Sequence, residues 1–127
     1  MFDLNQETED LARGVIGAAI EVHRTLGPGF LEKVYQRALS VELEHLGISH
    51  RIESPVNILY RGVDVGEGRA DILIMDQIIV ELKTVEAIKD IHRAQVISYL
   101  KATGIRLGLL MNFNTTLLKD GIQRIVH

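Results

Sequence analysis

The sequence has no cysteine and no tryptophan, and only two prolines. Without cysteine, disulfides, zinc–thiolate sites, Fe–S clusters and cysteine nucleophiles are all excluded, and a reducing cytoplasmic setting is expected. Three Phe and three Tyr give little material for a platform that stacks single-stranded bases. No long hydrophobic run is present. The most apolar helical stretch, Gly14 to Ile20, is far shorter than the roughly 20 residues of a membrane span, so no membrane partner is expected. Positive charge is not in excess either. Asp and Glu number 17 against 14 Lys and Arg, for a net charge of -3, which excludes binding of nucleic acid by bulk charge while leaving a local basic groove open. The segment Met1 to Asp10 carries four acids and no base, so it does not read as a secretory leader. Internal repeats, low-complexity tracts and linkers are also lacking.

What is there is a chain of 127 residues, 46% apolar and 24% charged, enough to close a core as one domain over 1–127. Leu11, Val15, Ala18, Val22 and Leu26 recur at helical spacing and predict a first helix from about Glu7 to Leu26, stopped by Gly27-Pro28-Gly29. Leu31, Val34, Tyr35, Ala38, Leu39, Leu43 and Leu46 predict a second helix ending at Gly47. The period then changes to two. Val56, Ile58 and Tyr60 mark a strand, with Pro55 read as lying outside it. Arg61-Gly62 is a turn, and Val63 to Met75 resumes extended structure with a bulge or bend at Gly66 and Gly68. Ile72 to Met75 and Ile78 to Leu82 are nearly continuously apolar, as expected of central strands. A third helix over about Asp90 to Ala102, a strand over Ile105 to Asn112 and a short strand over Gly121 to Val126 complete the order. Three consecutive strands predict an antiparallel meander, and the strand–helix–strand unit predicts a parallel crossover. The expected product is a mixed sheet sandwiched by helices.

Charge inside apolar strands is the most informative feature. Ile78-Ile79-Val80-Glu81-Leu82-Lys83 places Glu81 and Lys83 at the end of a core strand, and the preceding strand carries Asp71. Charged side chains are rarely buried without a partner or a metal. The intervening turn decides the geometry. A two-residue turn at Asp76-Gln77 sends Asp71 and Glu81 to opposite faces, whereas a three-residue loop, or a bulge of the same effect, brings them to one face. We expect the latter. The plainer alternative is a cross-strand pair between Lys83 and Asp71 at a sheet edge, worth about 0.2–1 kcal/mol. Glu32 opens the second helix, where an acid also complements the helix dipole. Tyr35 follows one turn on and reads first as a core aromatic. Gln95 lies mid-helix, four residues before Tyr99, and reads equally as a solvated or backbone-satisfied amide.

The run Gly29-Phe30-Leu31-Glu32-Lys33-Val34-Tyr35 resembles the signature of the GxxExxY proteins, which are placed in the PD-(D/E)XK nuclease superfamily. The resemblance extends over about Leu11 to His127 and takes in Gly17 to Arg24, Gly27-Pro28-Gly29, Ile79 to Lys83, Ala94-Gln95 with Tyr99-Leu100, Asn112-Phe113 and Leu118 to Gly121. It implies an α/β, restriction-endonuclease-like core of order α-β-β-β-α-β, a central mixed sheet flanked by helices. It also implies a metal-dependent nuclease that hydrolyses phosphodiester bonds of DNA or RNA. Asp71 and Glu81 match the two acids of the motif and Lys83 its lysine, while Ala70 stands where the motif has proline. Glu32 matches the acid of the first core helix, and Gln95 the polar residue of the following one. Asp71, Glu81, Glu32 and the backbone carbonyl of Leu82 are then the expected ligands of Mg²⁺, with Mn²⁺ as a substitute. Hard divalent ions take oxygen ligands and need neither Cys nor His.

Lys83 is expected to steady the attacking water or the charge growing on the phosphate, and Gln95 to position it. His23, Tyr35 and Tyr99 are candidate accessory residues. His45, His50, His92 and His127 share no ligand-like spacing and read as surface residues. Gly27-Pro28-Gly29 lacks the Lys-Ser/Thr of a phosphate loop and reads as a break that aims Glu32. Arg69, Lys89, Arg93 and Lys101 are candidate phosphate contacts, with solvated surface charge as the plainer reading. Specificity would rest on the cleft, a homodimer interface or a separate partner. The alternative is a catalytically silent module of the same fold that binds nucleic acid or protein. Setting aside Glu32, Asp71 and Glu81 leaves acids and bases equal in number, so the mild acidity is compatible with a nuclease that meets phosphate after loading metal.

Overall fold

A computed structural model describes residues 4–127. The first three residues, part of the segment read as acidic and leader-free, lie outside the described residues. Helix α1 (Gln6–Leu26) is capped by the Asn5 side chain, which accepts the Thr8 amide at 2.8 Å. It ends at Gly27, whose φ of 71° is a left-handed value that glycine adopts without penalty. Helix α2 (Glu32–His45) follows the break, so Glu32 is its first residue. Strands β1 (His50–Tyr60), β2 (Val63–Ile74) and β3 (Ile78–Lys83) form the antiparallel meander. Helix α3 (Asp90–Thr103) carries the chain to β4 (Leu107–Asn112), which runs parallel to β3. A 3-10 turn at Leu118–Gly121 leads into β5 (Ile122–Val126), antiparallel to β4. The sheet order is β1-β2-β3-β4-β5. The order α2-β1-β2-β3-α3-β4 is the expected α-β-β-β-α-β core, preceded by α1 and closed by β5.

Two cores form, one on each face. Ile72, Ile74, Ile78, Val80, Leu82, Leu107, Leu109 and Met111 pack against Ala12, Val15, Ala19 and Val22 of α1 and Tyr35, Leu39 and Leu43 of α2. Leu73, Ile79 and Leu110 pack against Val96 and Leu100 of α3. Pleating in β3 thus sends Ile78, Val80 and Leu82 toward α1 and α2. Its odd-numbered positions, Ile79, Glu81 and Lys83, go to the α3 side. Among the described residues, no helix is long and apolar enough to cross a membrane.

Three details differ from the sequence reading. Pro55 lies inside β1, not before it. Because β1 is an edge strand, a missing amide there can leave the ladder intact, and the polar run from His50 to Pro55 hides a strand with no apolar period. Strand β4 begins at Leu107, two residues later than expected. His50 is half-buried, its Nε2 2.7 Å from Ser40 Oγ and its Nδ1 2.9 Å from the Ile48 carbonyl, so it ties α2 to β1. The expected bulge is present: Ile58 faces Gly66 and Leu59 faces Asp64, which leaves Val65 unpaired, and Gly66 has φ of 145°. Gly68 serves a different need, since a Cβ there would sit 2.5 Å from the Tyr99 hydroxyl oxygen.

Gly108 lets α3 sit closely on the sheet. A Cβ there would collide with Val96 Cγ1 of α3. Gly108→Ala is expected to destabilise by about 1–3 kcal/mol through overpacking. Urea unfolding measures this, and an unchanged midpoint would contradict so close a seat for α3.

Candidate active site

The loop between β2 and β3 is Met75-Asp76-Gln77, and pairs Ile74↔Ile78, Leu73↔Ile79 and Ile72↔Val80 follow from it. Met75 and Asp76 take φ of 48° and 55°, and the Gln77 amide donates to the Ile74 carbonyl at 2.8 Å. This is the three-residue connection that brings Asp71 opposite Glu81. The β2–β3 ladder stops at Ile72 and Val80, and the strands part there. The two carboxylates bridge the fork. Glu81 Oε1 accepts the Asp71 amide at 3.1 Å, and Asp71 Oδ2 accepts the Leu82 amide at 2.7 Å.

Burial sets their electrostatics. Glu81 is only 3% exposed. Its pKa is pushed up to about 8, first by burial and then by the charge of Asp71, against the pull of the Asp71 amide and of Lys83. Asp71 is also raised, by burial, with the Leu82 amide opposing. Glu32, half-buried at the start of α2, is raised by burial and then by the charge of Asp71. Lys83 attracts all three carboxylates without cancelling these effects. Its ammonium donates to Gln95 Oε1 at 3.2 Å, and among the described residues it enters no ion pair, so the cross-strand Lys83–Asp71 pair is not formed. Beside them lies an open cleft of about 370 Å³ lined by Lys83, Gln95, Ile91, His92, Ala94 and Ser98.

The remaining candidates divide by location. Tyr35 is fully buried, and its hydroxyl donates to the Gly27 carbonyl at 2.5 Å and accepts the Phe30 amide at 3.2 Å. Its ring stacks on Phe113 with centroids 4.5 Å apart. His23 packs on the same Phe113 and places Nε2 3.1 Å from that residue's carbonyl. Both hold the Gly-Pro-Gly break against the end of β4, where the Phe113 amide donates to the Lys83 carbonyl at 2.8 Å. Tyr99 packs over Gly68, its hydroxyl 3.4 Å from the Arg69 amide. Leu82 meets the acids through its amide. Arg69 pairs with Glu67 at 3.6 Å, and Arg93 bonds Asp90 and Gln123. Lys89 and Lys101 are exposed, as are His45 and His127, while His92 Nδ1 accepts the Lys89 amide at 2.9 Å.

Gln36 and Glu53 were not singled out from the sequence. Gln36 is 5% exposed and donates from Nε2 to the Asp71 carbonyl at 3.0 Å. Glu53 has φ of 53°, lies between the pairs Ile52↔Ile72 and Ser54↔Ala70, and bonds Lys33 Nζ at 2.8 Å. The available signal for Gln36 was its spacing, four residues after Glu32 and hence on the same helical face. Glu53 gave none, because its segment did not read as strand.

Among the described residues, no three Asp, Glu or His side chains are gathered into a ready metal cage. Like charges hold apart when no cation bridges them. The donor set nevertheless fits a hard divalent ion: carboxylate oxygens, an excess of negative charge over the single ammonium, and carboxyls whose ionised forms are short of compensation.

A family model for the PD-(D/E)XK nuclease superfamily matches residues 9–125, nearly the whole chain. The chain belongs to that superfamily, and its α/β architecture is the restriction-endonuclease-like one. Searches of the curated proteins and of the solved structures return no match.

The raised carboxyls carry a pH dependence. A carboxyl with a higher pKa folded than unfolded keeps its proton longer in the folded state, so stability falls as pH rises from the unfolded value to the folded one. With Glu81 going from 4.5 to about 8, metal-free protein is expected to lose stability steadily over that window and to level off above it. Glu81→Gln is expected to flatten the decline. Urea unfolding in EDTA at stepped pH measures both slopes, and parallel slopes would remove Glu81 as the cause.

Proposed function

We propose that this chain, read as one nuclease-like unit over 1–127, hydrolyses phosphodiester bonds of DNA or RNA with a bound divalent ion, Mg²⁺ or Mn²⁺ in its place. The observation that supports this best is the face-to-face pair of Asp71 and Glu81 at the fork of the sheet, with Lys83 two residues beyond Glu81 on the same side. Asp71 and Glu81 would hold the ion, with Glu32, directly or through water, and the Leu82 carbonyl as further oxygens. Such an ion acidifies water and offsets phosphate charge when bound. Lys83 offers a compact ammonium to the charge that grows on the phosphate, and Gln95 restricts where that ammonium sits. Tyr35, Phe113 and His23 act at one remove, by fixing where α2 begins. Sequence choice falls to the cleft, a second copy of the chain or a separate partner.

A second reading is a silent binding module. It draws on the fact that Asp71 and Glu81 each hold a backbone amide where the ladder ends, a structural task that needs no metal.

Cleavage of mixed DNA and RNA under Mg²⁺ and Mn²⁺, comparing wild type with Glu81→Ala and Lys83→Ala, separates the two. Loss of a charge-stabilising group is expected to lower the rate by about 100- to 1000-fold. Equal residual cleavage in all three proteins would point to a contaminant and overturn the nuclease reading. Intact nucleic-acid binding without cleavage by wild type would establish the second.

A further inference from the structure

We infer that Gln36 is a positioning residue that sets the spacing between the acid of α2 and the acids of the sheet, and thereby the affinity of the site for a divalent ion. The inference rests on the reading of Glu32, Asp71 and Glu81 as ion-holding residues, and concerns a side chain that touches none of their carboxylate oxygens. Gln36 lies one helical turn after Glu32 on a helix whose first residue is Glu32 itself. Its amide nitrogen donates to the Asp71 carbonyl at 3.0 Å. That neighbour is an acceptor, so the amide has to present its NH₂ end to it.

One buried side chain therefore links α2, with Glu32, to β2, with Asp71. This link falls where the regular sheet gives out. The β2–β3 ladder has ended, and the β1–β2 ladder passes over Glu53, the residue of left-handed φ, and Asp71 between the pairs Ile52↔Ile72 and Ser54↔Ala70. Asp71 itself makes no backbone pair in either ladder. The Gln36 amide supplies the missing donor to its carbonyl, while its amide N–H is held by Glu81. The Asp71 peptide is thus gripped at both ends by side chains. Loosening the Gln36 end lets Asp71 rotate away from Glu32, and ion affinity depends on the carboxylates being held at a fixed separation. Removing a hydrogen-bond partner that orients a ligand typically weakens metal affinity by roughly 10–100-fold.

Mn²⁺ binding by calorimetry on metal-free protein tests this, with thermal melting of the same samples. Gln36→Leu and Gln36→Met nearly keep the side-chain size and remove the donor. Both are expected to weaken Mn²⁺ binding by about tenfold or more. Leu39→Val, a core change on the same helix, is expected to lower the melting temperature and leave the affinity as in wild type. Asp71→Asn is expected to abolish binding. If the Gln36 variants bind Mn²⁺ as wild type does while Asp71→Asn does not, the positioning role is overturned and the site stands. If Leu39→Val weakens binding as much as the Gln36 variants do, the effect is general loosening and the inference also falls. If wild type and Asp71→Asn behave alike, the ion-holding reading of the site fails and takes this inference with it.

Discussion

Two acids of like charge are held against each other in the low-dielectric end of the sheet, and much of the architecture serves to hold them there. Asp71 and Glu81 are half-buried and buried respectively, and one ammonium, Lys83, stands nearby without pairing to either. Burial alone pushes both carboxyls toward the neutral form, and mutual repulsion pushes Glu81 further. Such an arrangement is unfavourable in isolation. It is held by two cores packed on either face of the strands and by the amides of Asp71 and Leu82, which the carboxylates accept at the fork. Stability is given up at this one place, and a bound cation would return part of it.

The approach of α2 depends on an unrelated set of contacts. Gly27 and Gly29 both take positive φ, which turns the chain sharply between two helices that share a core. Tyr35 then closes the break onto itself through Gly27 and Phe30. Phe113 joins that aromatic cluster to the end of β3 by donating its amide to the Lys83 carbonyl. The start of α2 and the end of the motif strand are thereby referred to one ring, so Glu32 and Lys83 keep their relation even though they lie on different elements.

Most of the fold was legible because its elements are long and periodic. The stripes of α1 and α2, the apolar runs of β3 and β4, and the glycine stops at Gly47 and Gly104 each reflect burial on a defined face. Asp71 and Glu81 were legible as well, since charge inside apolar strands is costly and a three-residue loop is the simplest way to gather it. The first half of β1 was not. As an edge strand it buries little, tolerates Pro55, and shows no alternation over His50 to Pro55. Glu53 was lost with it. Gln36 was not legible for a different reason: its value lies in an acceptor contributed by a residue 35 positions away, and no local pattern encodes it. Reading His23 and Tyr35 as accessory residues followed from their nearness to Glu32 in sequence, whereas their hydrogen bonds run to the backbone around the break and to Phe113.

The carboxylate–amide bonds at the fork also bear on descent. Asp71 and Glu81 accept backbone donors that would otherwise be stranded where the ladder ends, so each residue answers to folding as well as to any chemistry. A lineage that ceased to cleave phosphodiesters would still meet selection to keep an acceptor at both positions. In chains built on this plan, the two acids can outlast catalysis. Residues with no such backbone duty, Lys83 among them, are free to drift first and are the better record of whether the chemistry was kept.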